Sequence, residues 1–245
     1  MKRIKITIAY DGTDYHGWQI QPNALSIEEI INKAISKTTK EDIKIIGASR
    51  TDSGVHALGN IAVFDTNTTI PTEKIPLAVN KNLPNDIIIT KAEEVDLSFH
   101  PRYGNITKTY EYTIWKNKVQ NPMRTRYTCH HFYKLNIEKI KEAFEYLIGE
   151  HDFASFCSMS SNVNSTVRNI YSIDIEEKED EIVFRFVGNG FLYHMIRIIM
   201  GIAIQIGDGY YEPIYLKEVL DKKQKGYGRP TAPASGLCLI KIDYK

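Results

Sequence analysis

The chain has 245 residues, with 31 Lys and Arg against 30 Asp and Glu, 42% hydrophobic and 25% charged residues. That length supports one large domain or two modest ones with a proper core, and the composition excludes collagen-like, disordered and membrane-spanning classes. A net charge of only +1 means that any nucleic-acid partner requires the basic groups to be gathered on one face.

The opening, MKRIKITIAY, is basic and then alternates, without the apolar run of a secretory leader. Ile4, Ile6 and Ile8 fall on one side of a half-buried strand that ends at the turn signal Asp11-Gly12. SIEEIINKAISK predicts a helix with a Ser26–Glu29 capping box and an apolar stripe of Ile27, Ile30, Ile31, Ala34 and Ile35. IKIIGAS and GNIAVFDT read as two strands flanking the loop that follows Gly47. A weaker helix is expected over about 72–82, then a strand in DIIITKAEEV.

After FHPRYGN the pattern begins again with a strand in TKTYEYTIW. Asn136 caps a helix with the apolar face Ile137, Ile140, Phe144, Leu147 and Ile148 and a stop at Gly149. TVRNIYSIDIEE and DEIVFRFVGN predict a hairpin that turns in the solvated run EEKEDE. GFLYHMIRIIMGIAIQIG and YEPIYLKEVLD read as helices, the second with Pro213 near its start, and LCLIKIDY closes as a strand. Strands and helices do not alternate strictly, so the fold class is α+β, with domains at 1–104 and 105–245 and the boundary near Pro101 to Lys108.

The loop GASRTDSGVHALGN raises the question of Asp52, which a bare reading makes a turn residue. Its letters also mimic the aspartic-protease triplet, but that chemistry needs a second carboxylate. Ser53, Asp52 and His56 hold the letters of a hydrolase triad, yet they are too close in sequence and no nucleophile elbow is present. Far along the chain, FLYHMIRIIMGIAI is apolar nearly all round, with His194 and Arg197 its only ionisable side chains. A buried guanidinium stays charged, so Arg197 either snorkels to water at a seam or meets a carboxylate such as Asp52. Tyr110 and Tyr112 share one face of a strand, with Glu111 opposite; core packing and a stacking platform for a base are both open to them. Trp18, in YDGTDYHGWQIQPN, reads as packing. Cys129, His130 and His131 lack a second ligand pair at a useful spacing, so no metal is expected, and three dispersed cysteines point to a reducing cytoplasm.

RTDSGVHALGN resembles the signature loop of the tRNA pseudouridine synthase A family, in which the pattern is Arg-Thr-Asp-Ala/Ser-Gly-Val-His-Ala. YDGTDYHGWQIQPN, NKNLPNDI, FHPRYGNITKTYEYTI, GEHDFASFC, GNGFLYHMIRIIMG and APASGLCLIKIDY resemble further family blocks, in family order, from end to end. Pro101, Lys108 and Ser26-Ile27-Glu28 depart from the usual residues without touching the expected chemistry. The resemblance implies two RRM-like, ferredoxin-like α/β domains related by a pseudo-two-fold, with an active-site cleft between them, and a cytoplasmic homodimer. It also implies uridine isomerisation in the tRNA anticodon stem-loop, at tRNA positions 38, 39 and 40, with neither cofactor nor metal. On that basis Asp52 is the expected nucleophile, and Arg197 its partner. Tyr110 packs on the uracil, Leu237 lines the other side of the base, and Arg50 and His56 complete the substrate-binding loop. A paralogue acting on ribosomal RNA, or a non-catalytic RNA-binding protein, is the alternative.

Overall fold

A computed structural model of the chain describes residues 1–161 and 163–245. They form two compact units, Met1–Ile106 together with Cys238–Lys245, and Thr107–Leu237. The closing strand, expected in the second half, therefore belongs by its contacts to the first.

The first unit runs β1 (Lys2–Tyr10), α1 (Ile27–Thr39), β2 (Ile46–Gly47), β3 (His56–Thr66), α2 (Ile75–Asn80) and β4 (Ile87–Val95). β4, β1, β3 and β2 pair antiparallel in that spatial order. A βαββαβ chain with strand order 4-1-3-2 is the ferredoxin-like arrangement. Ile4, Ile6 and Ile8 are fully buried, as the alternation requires, and Ile27, Ile31, Ala34 and Ile35 of α1 are buried with them. Ile30 stays half-exposed at the edge of that stripe. Ser26 Oγ caps α1 by accepting the Glu29 N–H at 3.4 Å, while the Glu29 carboxylate turns to Lys33 rather than back to the cap.

β2 is shorter than the alternation in IKIIGAS predicts. Ile43 N–H donates to Ser36 Oγ at 3.0 Å and Ile45 N–H to Asn32 Oδ1 at 2.8 Å, so side chains of α1 capture donors that a longer ladder would need. β3 in turn starts three residues earlier than expected, at His56, where it is joined in parallel by the last strand, β10 (Leu237–Tyr244), through Cys238 and Leu239.

The second unit holds β5 (Ile106–Trp115), β6 (Cys129–His130), α3 (Ile137–Glu145), β7 (Gly149–Asp152), β8 (Val167–Glu177), β9 (Glu181–Gly188), α4 (Met195–Gly207) and α5 (Ile214–Lys222). β5, β9, β8 and β7 pair antiparallel in that order, so β5–β9–β8 repeats the β1–β3–β2 arrangement of the first unit. The β8–β9 hairpin turns in the acidic run, as expected. Phe144 on α3 sets its ring edge-on to Phe184 and Phe186 of β9, which gives this core its aromatic centre.

Two helices are shorter than their patterns. α3 ends at Glu145, but the i→i+3 bonds Leu147 N–H to Phe144 O and Ile148 N–H to Glu145 O tighten the chain, so Leu147 stays in the core without being helical. α4 starts at Met195 and not near Gly190, because His194 at its N-cap is left-handed (φ 65°). Among the described residues no helix is long and apolar enough to cross a membrane.

At the far end of β1, Arg3 grips Asp65 with two parallel bonds, Nε to Oδ1 at 2.7 Å and Nη2 to Oδ2 at 2.8 Å. The guanidinium hydrogen bond holds the Asp65 carboxyl below the usual carboxylate range. A depressed carboxylate contributes stability above its unfolded value and loses it as pH falls through the folded one. Asp65→Asn therefore lowers the unfolding free energy by about 1 kcal/mol at neutral pH, a figure limited by partial exposure of the pair. The gap to wild type closes as urea melts are taken below about pH 4.

Candidate active site

Asp52 stands in a tight turn, Asp52–Val55, closed by Val55 N–H to Asp52 O at 3.2 Å. Gly54 takes the positive φ of 76° that the turn needs, which other residues adopt only with strain. The turn lies on the segment Asp11–Trp18. Gly54 N–H and Ser53 Oγ both donate to Tyr15 O, at 3.3 and 3.2 Å, and Trp18 N–H donates to Thr51 O at 3.1 Å. Gly12 and Gly17 make the approach possible. A Cβ on Gly12 would run into Val55 O, and one on Gly17 (φ 86°) would sit 2.7 Å from Thr51 O. Tyr15 is itself fixed, its hydroxyl donating to Asp86 Oδ1 at 2.8 Å.

Beneath the loop is a buried polar set. Tyr10 Oη lies 2.8 Å from Thr51 Oγ1, and Asn60 Nδ2 donates to Tyr10 Oη at 3.2 Å and to Ser49 O at 3.0 Å. Thr51 is buried, Asp52 is half-buried and Arg50 is exposed, so the basic side chain points outward from a fixed base. His56 is buried, and Gly12 N–H meets its Nδ1 at 3.1 Å while Asp11 Oδ1 lies 3.2 Å from the same nitrogen. One contact asks that nitrogen to accept and the other to donate, so the ring's proton decides which is made. Either way His56 braces the loop from behind.

In the second unit, Tyr110 and Tyr112 share the buried face of β5, while Glu111 on the other face pairs with Arg185 at 2.7 Å. Tyr110 meets Phe191 edge-on at 5.3 Å, using the non-helical stretch before α4. Tyr112 is fully buried and donates to Pro233 O at 3.0 Å. Burial drives its phenol far above the ordinary range; the neighbouring Cys129 thiol adds to that, and the Arg197 guanidinium opposes it.

Arg197 occupies the first turn of α4, half-buried. Its Nε donates to Ala232 O at 2.9 Å and its carbonyl accepts the Ala232 N–H at 2.9 Å, so the strap before β10 aims the guanidinium. Gly201, one turn further along α4, leaves room for Pro230 O. Leu237 follows Gly236, where a Cβ would meet the Tyr112 ring at 2.7 Å, and is itself buried.

His131 Nε2 bonds Asp208 at 2.9 Å and His130 Nε2 bonds Asn117 O at 2.9 Å, so the adjacent histidines have separate partners. Among the described residues no group of three or more His, Cys, Asp or Glu is placed to hold a metal ion. Sequence reasoning missed Tyr10, Asn60, Gly12, Gly17 and Tyr15 as parts of the loop's mount. A signal was present for two of them: Tyr10 continues the inward Ile4–Ile6–Ile8 stripe, and Asn60 is an amide within the apolar strand GNIAVF.

The first unit is thus a ferredoxin-like α+β scaffold that carries the half-buried Asp52 on a braced loop. Comparison with known proteins makes this particular. The tRNA pseudouridine synthase family model matches residues 6–104 and 143–245, a range that includes Asp52, Arg197 and Leu237 but leaves Tyr110 between its two parts. The tRNA pseudouridine synthase A of Thermoanaerobacter sp. (strain X514) is 47% identical over 244 residues, covering 100% of both chains. The proteins of the same name from Clostridium acetobutylicum and Exiguobacterium sp. are 43% and 42% identical, over 100% of this chain and 100% and 99% of theirs. The chain belongs to the tRNA pseudouridine synthase family. Among solved structures, a chain of the archaeal box H/ACA sRNP Nop10-Cbf5 complex aligns with 82% of this chain and 44% of its own, at 14% identity and TM-score 0.36, a likeness too slight to define the fold.

Gly17→Ala forces a left-handed alanine whose Cβ presses on Thr51 O. It is expected to cost about 1–3 kcal/mol in a urea melt. Amide exchange should quicken at Thr51–Val55 more than in β4 of the same unit.

Proposed function

We propose that the chain isomerises uridine to pseudouridine in the tRNA anticodon stem-loop, at tRNA positions 38 to 40, with Asp52 as the catalytic nucleophile. The observation that carries this is the half-exposed Asp52 on its braced loop, in a chain that matches its relatives end to end. The reaction breaks the C1′–N1 bond, turns the base and joins C5 to C1′; the C5 proton leaves and N1 gains one. No electrons or atoms enter overall, so the reading calls for no cofactor. The target lies within folded RNA and must be flipped out to be reached.

Asp52 acts at the ribose centre as an ionised carboxylate. Attack on C1′, and removal of a ribose proton to give a glycal, are both chemically open to it. Arg197 keeps the carboxylate charged and aimed. Tyr110 packs on the uracil and relays the C5 proton, and Leu237 lines the base's other side. Arg50, exposed beside Asp52, contacts phosphate and positions RNA without reading sequence. Arg102 already uses Nε to hold Gly47 O at 2.7 Å, which leaves the rest of its fork for the same task. His56 serves substrate binding through the loop it braces. A homodimer acting in the cytoplasm completes the reading.

With tRNA carrying tritium at uridine C5, the wild-type protein should release tritium, and Asp52→Asn should lower the rate by about 1000-fold or more while tRNA binding persists. Release unchanged in Asp52→Asn would overturn the nucleophile assignment. Binding without release by the wild type would leave an RNA-binding protein and no enzyme.

A further inference from the structure

We infer that Tyr10 and Asn60 are positioning residues for Asp52, acting through Thr51; this rests on the function proposed above. Asn60 is fully buried on β3, across from Ile8, where an amide is costly unless bonded. Its Nδ2 donates to Tyr10 Oη and to Ser49 O, and its Oδ1 accepts the Ile61 N–H at 2.9 Å. Tyr10, 4% exposed, passes the grip on to Thr51 Oγ1. The two residues flanking Arg50 are thus held from the strand floor, Ser49 by its carbonyl and Thr51 by its hydroxyl.

A second observation concerns β1. The β1–β3 register shifts between Ile8 and Tyr10, which sets Tyr10 opposite Ala57. Such irregularities re-aim side chains. Here it is the last inward residue of the strand that meets the loop, with its hydroxyl on Thr51. If this volume only had to be filled, apolar side chains would do so as well or better, since replacing a satisfied buried polar set by matching apolar groups is often neutral or stabilising. What the polar set adds is direction. It fixes the Thr51 rotamer and the carbonyl of Ser49, while Trp18 N–H holds Thr51 O, so the residue before Asp52 is fastened through both side chain and backbone. Reaction geometry tolerates errors of well under an ångström at the attacking atom.

The test compares Tyr10→Phe, Thr51→Val, the double variant and Thr51→Ser by tritium release, with amide exchange measured over Ser49–Ser53. Tyr10→Phe and Thr51→Val should each lower kcat by about 10-fold or more with KM within about twofold of wild type. The double variant should lose no more than either single one, because all three remove the same bond. Thr51→Ser, which keeps the hydroxyl, should recover most of the rate. Exchange at Ser49–Ser53 should rise by about 10-fold in Tyr10→Phe while exchange in β4 is unchanged. A loss confined to KM, additive losses in the double variant, or unaltered exchange at the loop would overturn the inference. A wild-type protein that releases no tritium from tRNA defeats the proposed function itself, and the exchange result then still decides whether this pair holds the loop.

Discussion

The 2.8 Å contact between Tyr10 Oη and Thr51 Oγ1 joins the strand floor of the first unit to the loop that carries Asp52. Around it the loop is held from three directions. Asn60 grips Ser49 from below, the Asp11–Trp18 segment bonds Thr51, Ser53 and Gly54 from the side, and β3 begins at His56 to anchor the far end. Within the fold, the Gly54 and Val55 N–H groups and the Ser49, Thr51 and Asp52 carbonyls each have a partner. Asp52 emerges from the mount half-exposed, between the exposed Arg50 and Ser53.

The second unit supplies a charge that its own helix disfavours. Arg197 lies in the first turn of α4, where the aligned peptide dipoles place positive potential and a carboxylate would be the natural occupant. The Ala232 carbonyl accepts from Nε at 2.9 Å and so helps set the direction of the guanidinium plane. The same guanidinium acts on the buried Tyr112 phenol, so Arg197, Tyr112 and the Ala232–Leu237 strap form one electrostatic neighbourhood.

Much of the fold was legible because burial writes itself into period. The Ile4–Ile6–Ile8 alternation, the α1 stripe, the Asn136 cap and the hairpin at the acidic run all appear where the pattern places them. The misses have local causes that pattern does not carry. β2 shrinks because Ser36 and Asn32 of α1 take its donors, α4 starts late because His194 adopts a left-handed backbone, and β10 leaves the second half because strand pairing is long-range. Of the expected site residues, Asp52 and Tyr110 stood out by family pattern, and Arg197 by its type in an apolar helix as well. The mount did not, because a tyrosine at a strand end and an asparagine in an apolar strand declare their role only once the register across β1 and β3 is known.

The central claim is that a braced aspartate serves tRNA isomerisation at the anticodon stem-loop. The most direct measurement maps pseudouridines in all RNAs of the source cell after deletion of the gene encoding this chain. The account predicts loss of pseudouridine from the tRNA anticodon stem-loop at positions 38 to 40 and restoration by the wild-type gene. Intact tRNA with pseudouridine missing from ribosomal RNA instead, or no change in any RNA, would contradict it.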